Sequence, residues 1–485
     1  MSKIGRVIAH ERASRRVVAL ALLGLGLPFA TLGSTRPVSE APAVRDIACD
    51  AGAHPEHMQG RVSGADVADG YAAAGYRCNT TFVSQYSNVG GFRVQRYADQ
   101  AGHACAFYDT TLLFPTNALQ GSTHNTGVFV LDMSDPAHPV RTAILSTPAM
   151  QSPHESLSLN LARGLLAADL GNAFAYPGWV DVYDVSKDCR HPQLDSSLPV
   201  GVLGHEGAFS PDGKTFWVSS AGGQTMTAID ISDPKAPRPL WTQLGTVVHG
   251  LNISDDGNTV YEADLGNSPV GTHTAGLDIV DVHEVQSRVP GGTGHLVAHL
   301  SWPDVSLPQV PLPVTIGGHP YLVEDDEFAT DGTSGGIPAG GSDTGAHAGG
   351  ARVIDIADPG RPRVVSNMRL AVDLTANRAA LANDPGANSP VQGYASHYCA
   401  VPRRIDPGIV ACSFILSGLR VFDIHDPLHP KEIAYFNAPV HNSGGNYAMS
   451  APAFDPVHGQ IWYSDGNEGL FAVGLTRSAL TYWPR

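Results

Sequence analysis

A strand-like segment that ends in aspartate and runs into a proline turn recurs along this chain. It reads "GVFVLDMSDPAHP" from Gly127, "WVDVYDVSKDCRHP" from Trp179, "TMTAIDISDPKAP" from Thr225, "GLDIVDVHEV" from Gly276, "GARVIDIADPGRP" from Gly350 and "GLRVFDIHDPLHP" from Gly418. A shortened copy, "GLFAVGL" from Gly469, ends the series. Asp-Pro presets the backbone for a tight turn, so each copy predicts strand, turn, strand. A second hairpin precedes the copies. "HESLSLNLARGLLAAD" from His154, "HEGAFSPDGKTFWVSS" from His205, "HGLNISDDGNTVYEAD" from His249 and "SAPAFDPVHGQIWYSD" from Ser450 align without gaps. "VPLPVTIGGHPYLVED" from Val310 fits too, and "HYCAVPRRIDPGIVACS" from His397 needs one extra residue. Two hairpins make four strands. Seven such units predict an all-β chain folded as a seven-bladed β-propeller of four-stranded antiparallel blades, a ring that hides nearly all sheet edges. The short final unit is expected to borrow a strand from the region after Cys78. Composition agrees: 53 Gly and 36 Pro suit many turns and short strands.

The segments "VFVLDMSDP", "IDISDP", "VIDIADP" and "VFDIHDP" resemble LVIVD repeats, which occur in exported bacterial propellers. "GRVSGADVADGYAAAGYRCNTTFV", from Gly60, is similar to the lead-in of that family. The resemblance covers roughly residues 55–475. It implies fold and export; its implication for activity is slight, because propellers serve catalysis, scaffolding and binding alike.

The first 33 residues read as an export signal. Arg12, Arg15 and Arg16 precede "VVALALLGLGLPFATLG", an apolar run too short and too early for a spanning helix. "SRRVVAL" is compatible with Sec or twin-arginine export, and small residues allow cleavage after Gly33 or as late as Ala43. Residues 44–76 then form a lead-in, and 77–485 the propeller. The expected location is secreted, periplasmic or cell-surface, with no membrane span in the mature protein. The formal charge is −16, with no basic stripe, which argues against nucleic acid and anionic membranes as partners. Six cysteines in an exported chain fit up to three disulfides, and Cys399 and Cys412 flank a hairpin turn and could face each other.

The repeat places four histidines alike. His154, His205 and His249 open the first strands of blades 2, 3 and 4, and His397 opens blade 6. First strands line a propeller's axis, so four imidazoles are expected around one mouth of the channel. Such a set suits Fe or Cu, ahead of Zn, rather than Mg or Ca. The second strand returns to the same face, placing Asp169 beside His154 and Asp264 beside His249, where a carboxylate could orient a ligand ring. Histidines that merely bond a neighbouring aspartate and tie blade to blade are the competing reading. Long insertions gather on the histidine face at 286–309, 329–349 and 371–394, as expected of loops that build a site.

Other candidates are weaker. "EDDEF" (Glu324–Phe328), which includes Asp325, could hold Ca²⁺ or be a solvated edge. His441 lies in the last inter-blade loop and could reach the mouth. Glu155 and Glu206 could accept protons, but as strand neighbours of histidines they should face away. "HPEH" (His54–His57) is expected in a flexible lead-in. No residue is marked as catalytic. The leading expectation is an exported metal-dependent oxidoreductase, an oxidase or oxygenase, acting on a small organic substrate under the long loops. The alternative is a non-catalytic propeller binding a protein, glycan or cell-surface polymer at that face.

Overall fold

The computed structural model describes residues 40–484, apart from 112–125, 172–177, 201–203, 267–273, 331–346, 388–392 and 442–443. The export-signal expectation lies outside the described residues. Seven sheets of antiparallel blades follow one another around the ring. Blade 1 comprises Val94–Ala98, Ala104–Asp109, Val128–Asp132 and Val140–Leu145, and blade 2 Ser158–Asn160, Leu165–Asp169, Val180–Asp184 and Gln193–Leu198. Blade 3 comprises Glu206–Phe209, Thr215–Ser220, Thr225–Asp230 and Arg238–Leu244, and blade 4 Val248–Ile253, Thr259–Asp264, Gly276–Asp281 and His295–Leu300. Blade 5 comprises Leu307–Ile316, His319–Glu327, Ala351–Asp355 and Arg363–Asn367. Blade 6 comprises Ser396–Ala400, Ile409–Phe414, Gly418–Asp423 and Lys431–Asn437.

Blade 7 takes Ala453–Asp455, Gln460–Asp465 and Gly469–Leu475 from the end of the chain and Thr80–Tyr86 from its beginning. The expected borrowed strand is therefore present, and it pairs with Gly469–Leu475 from Thr80↔Leu475 to Tyr86↔Leu470.

Each middle strand is buried on both faces because blades stack against blades. The second strand of blade 3, Thr215–Ser220, is buried throughout, while the outer strand Arg238–Leu244 is largely exposed. Alternate residues feed opposite interfaces. Phe216 and Val218 pack toward blade 2 with Ala167 and Val182, whereas Trp217 packs toward blade 4 with Leu251 and Val260. The outer strand of every blade carries a register shift, as between Ala228 and Ile229 or between Phe82 and Ser84. Bulges twist an edge away from further pairing.

Two expectations need correction. The segment 286–309 is not one long loop on the histidine face: it contains the outer strand of blade 4, His295–Leu300, which exposed Leu296 and Val297 disguised. The lead-in is not a loose tail. Tyr76–Cys78 and Arg45–Asp46 both join the outer strand of blade 6, making that sheet six-stranded. Within "HPEH", His54 stacks on Tyr71 at 4.0 Å, and Glu56 pairs with buried Arg420 at 2.6 Å. Three disulfides, Cys49–Cys78, Cys105–Cys189 and Cys399–Cys412, use every cysteine. The first ties the lead-in to itself, the second joins blade 1 to blade 2, and the third crosses one hairpin, as its flanking positions suggested. No helix among the described residues is long and apolar enough to cross a membrane.

Candidate metal centre at the channel mouth

The four histidines meet, but not from one register position. Glu206 faces Ser219 in the ladder, which puts His205 level with Ser220, the last residue of its second strand. In blade 4 it is Val248 that faces Asp264, and a bulge between Val248 and Leu251 turns His249 inward. In blade 6 a bulge between Ser396 and Tyr398 does the same for His397. His154 precedes its strand, with a left-handed backbone (φ 51°) that is uncommon outside glycine. Gly171 makes room for it, since a Cβ there would lie 2.3 Å from the Cβ of His154. Ring centroids are 4.5 Å apart for His154 and His205 and 4.8 Å for His205 and His249. Phe92 joins the set from above, 4.6 Å from His154 and 5.4 Å from His397.

Glu155 stands at the centre. Its carboxylate lies 3.1 Å from His205 Nε2, 3.3 Å from His397 Nε2 and 3.9 Å from both His154 Nε2 and His249 Nε2. Glu327 closes the far side, 3.1 Å from His397 Nε2 and 3.6 Å from His249 Nε2. The expectation that Glu155 faces away is overturned. The left-handed turn at His154 breaks strand alternation, and the Glu155 N–H donates to the carbonyl of His205 at 3.3 Å. Glu327 sits within the "EDDEF" segment, two of whose carboxylates are turned away from it. Glu324 and Asp326 clamp the buried Arg352 guanidinium instead, with Asp326 Oδ1 at 2.8 Å.

For His249 and His397, ring orientation comes from backbone rather than from the expected aspartates. His249 Nδ1 bonds the carbonyl of Pro308 at 2.8 Å, and His397 Nδ1 bonds that of Met449. Each bond leaves Nε2 pointing at the carboxylates. Asp264 instead accepts the N–H of Gly266 at 3.1 Å. Both carboxylate oxygens of Asp169 are buried without a hydrogen-bond partner, so it does not hold His154. Gly204 presses on Asp169 so closely that a Cβ there would fall 1.5 Å from Oδ1. Burial, and then the charge of Glu206, push Asp169 well above the usual carboxylate range. Asp325 is likewise wholly buried, with both oxygens unpartnered and its pKa driven up by burial. His441 is exposed and acts on Glu468 rather than joining the histidines.

Glu206 belongs to a layer beneath the ring. Arg93 Nη2 binds Glu206, its Nε donates to the carbonyl of Glu155 at 2.7 Å, and its guanidinium lies 4.4 Å from the ring centre of Tyr398. Burial lifts Glu206 to about 8, with Glu155 adding to the rise and Arg93 opposing it. Arg93 has no counterpart in the histidine alignment. A signal did exist: Val94 faces Tyr108, so Arg93 is level with Asp109, the position that His205 holds in blade 3.

Charges at the centre are strongly divided. Burial alone would raise Glu155, but the charges of His205 and His154 hold it well below the carboxylate range. Burial works against a charged His397, yet Glu327 and Glu155 raise it to about 10. Burial lowers His249. Despite their closeness, His205 Nε2, His397 Nε2 and Glu155 Oε2 are buried atoms outside hydrogen-bond geometry. Unspent donors of this kind, clustered and shielded, are what a metal ion would use. His154, Glu155 and His205 form a group that could hold one.

No family model matches the chain, and no curated protein matches it. Among solved structures it is similar to hydrazine synthase of Kuenenia stuttgartiensis, with 13% identity over 81% of this chain and 98% of that one and a TM-score of 0.48. It is also similar to the periplasmic gluconolactonase PpgL of Pseudomonas aeruginosa (14% identity, 70% and 85%, TM-score 0.47) and to U3-55K (9% identity, 82% and 98%, TM-score 0.48). These likenesses concern the fold alone.

Proposed function

We propose that the channel mouth binds a redox-capable transition metal and that the protein is an exported oxidoreductase of the LVIVD-repeat kind, acting on a small organic substrate. His154, His205, His249 and His397 supply Nε2 ligands, and Glu155 supplies an oxygen. The observation that carries this reading is the spacing around Glu155. Ligand atoms about 2.1 Å from one ion, at angles of 90–109°, stand about 3.0–3.4 Å from one another. Glu155 Oε2 lies 3.1 Å from His205 and 3.9 Å from His249, and Oε1 lies 3.3 Å from His397 and 3.9 Å from His154, so each oxygen has one contact within that range and one just outside it. A mixed imidazole and carboxylate set favours iron, with copper next and zinc after it. When bound, such an ion would supply one-electron chemistry.

The chain's own residues serve that centre in two ways. Backbone carbonyls fix the tautomers of His249 and His397, leaving their inward nitrogens free of a proton when neutral. The Arg93–Glu206 pair beneath it holds a carboxyl that titrates near neutrality and can store a proton. Three disulfides support an oxidising compartment and hence export. Metal analysis of purified, iron- or copper-reconstituted protein tests the reading. Close to one equivalent is expected, falling sharply in His205→Ala. Less than about 0.1 equivalent of Fe, Cu or Zn rejects it and leaves the binding-scaffold alternative.

A further inference from the structure

A second, separate set of ligating side chains crosses blade 4. Glu262 faces Asp278 across the second and third strands, and Asp278 faces His299 across the third and fourth. Asp264, two residues beyond Glu262, shares its face of the sheet. His299 Nδ1 is 2.7 Å from Asp278 Oδ1 and 3.8 Å from Asp264 Oδ2. Val260 and Leu251 on the same face pack with Trp217 of blade 3, so the row lies in the interface between those two blades.

The seven blades provide an internal control. On the face toward the preceding blade, the same cross-strand row reads Tyr108–Phe129–Ile144 in blade 1 and Ala168–Asp181–Ser197 in blade 2. It reads Val218–Thr227–Thr242 in blade 3 and Glu324–Arg352–Asn367 in blade 5. It is Cys412–Arg420–Tyr435 in blade 6 and Tyr463–Phe471–Gln85 in blade 7. Charge recurs in this row, but blades 5 and 6 place an arginine there. Blade 4 fills it with two carboxylates and an imidazole.

Glu262 supplies the independent pointer to a ligand. It is 1% exposed, and its Oε1 has no hydrogen-bond partner. Several other buried carboxylates of this chain meet an arginine: Glu206 meets Arg93, Glu324 and Asp326 meet Arg352, and Glu56 and Glu432 meet Arg420. Burial, and then the like charges of Asp278 and Asp264, push Glu262 well above the usual carboxylate range. Burying like charges together is costly unless a cation joins them.

We propose that Glu262, Asp264, Asp278 and His299 bind a divalent cation between blades 3 and 4. One imidazole among three carboxylates suits zinc or manganese better than calcium or magnesium, which take oxygen ligands. The proposal does not depend on the channel centre. Metal-free protein equilibrated with Zn²⁺ and counted by elemental analysis tests it. Glu262→Gln is expected to bind one equivalent fewer than wild type, whereas His205→Ala keeps this equivalent. Glu262→Gln preserves shape and mimics the neutral acid, and Asp278→Asn provides the same readout should the first variant fail to fold. Equal Zn²⁺ uptake by Glu262→Gln and wild type overturns the proposal. Anomalous scattering from Zn²⁺-soaked wild-type crystals is a second, independent measurement: an ion among these side chains supports the proposal, and an empty row overturns it.

Discussion

At the scale of single residues, the site rests on one carboxylate that breaks strand alternation. Four imidazoles alone would repel one another when protonated and would lack an oxygen ligand. Glu155 answers both needs from a position that alternation places on the wrong side. Glu155→Gln keeps the shape but removes the charge, and it should lower metal retention at least tenfold, in line with the loss of one charged ligand. Dialysis against a weak chelator followed by metal counting reads this. Full retention with normal circular dichroism would assign Glu155 a packing role only. Four histidines at strand starts were legible from the gap-free repeat. The bulges beside Val248 and Ser396 were not, because a bulge is a choice of backbone hydrogen bonding with little compositional trace.

At the scale of elements, the lead-in and blade 6 form one unit. Arg420, fully buried, bonds Glu56 of the lead-in at 2.6 Å and Glu432 of the outer strand at 2.9 Å. Its guanidinium also lies 4.5 Å from the ring centre of Tyr435. Arg420→Met strands two buried carboxylates and should destabilise the protein by about 3–5 kcal/mol. Urea unfolding measures this, and a loss below about 1 kcal/mol would show that the lead-in is held by its disulfide and strands alone. The sequence pattern marked "HPEH" as loose because no periodicity binds it. The contact is made across 364 positions of chain, beyond the reach of any local pattern.

At the scale of the whole molecule, the acidity of the channel face sets the pH response. Burial raises Asp109 and Asp465 to about 7, against the hydrogen bonds they accept from backbone N–H groups. Between about pH 4 and 7 the folded state therefore binds more protons than the unfolded chain, and stability falls as pH rises. His397, raised to about 10, acts in the same direction, since its contribution is full below about 6.5 and is lost as pH climbs toward 10. Asp355, lowered to about 2, gives stability that disappears only below about pH 4, outside this window. Metal-free protein should accordingly unfold at lower urea at pH 8 than at pH 5. A midpoint that is flat or higher at pH 8 contradicts the burial of these groups.

Repetition by itself determined the number of blades, the four-strand unit, the strand loaned from the chain's start and the gathering of histidines on one face. Each of these follows from short-range pattern copied around a closed ring, and closure leaves few alternatives. Only the tertiary structure decided which side chains point inward. The placing of Glu155, Glu327 and Arg93 depends on bulges, one left-handed residue and contacts between distant blades. The same holds for the row Glu262–Asp278–His299 of blade 4, which strand pairing alone brings together.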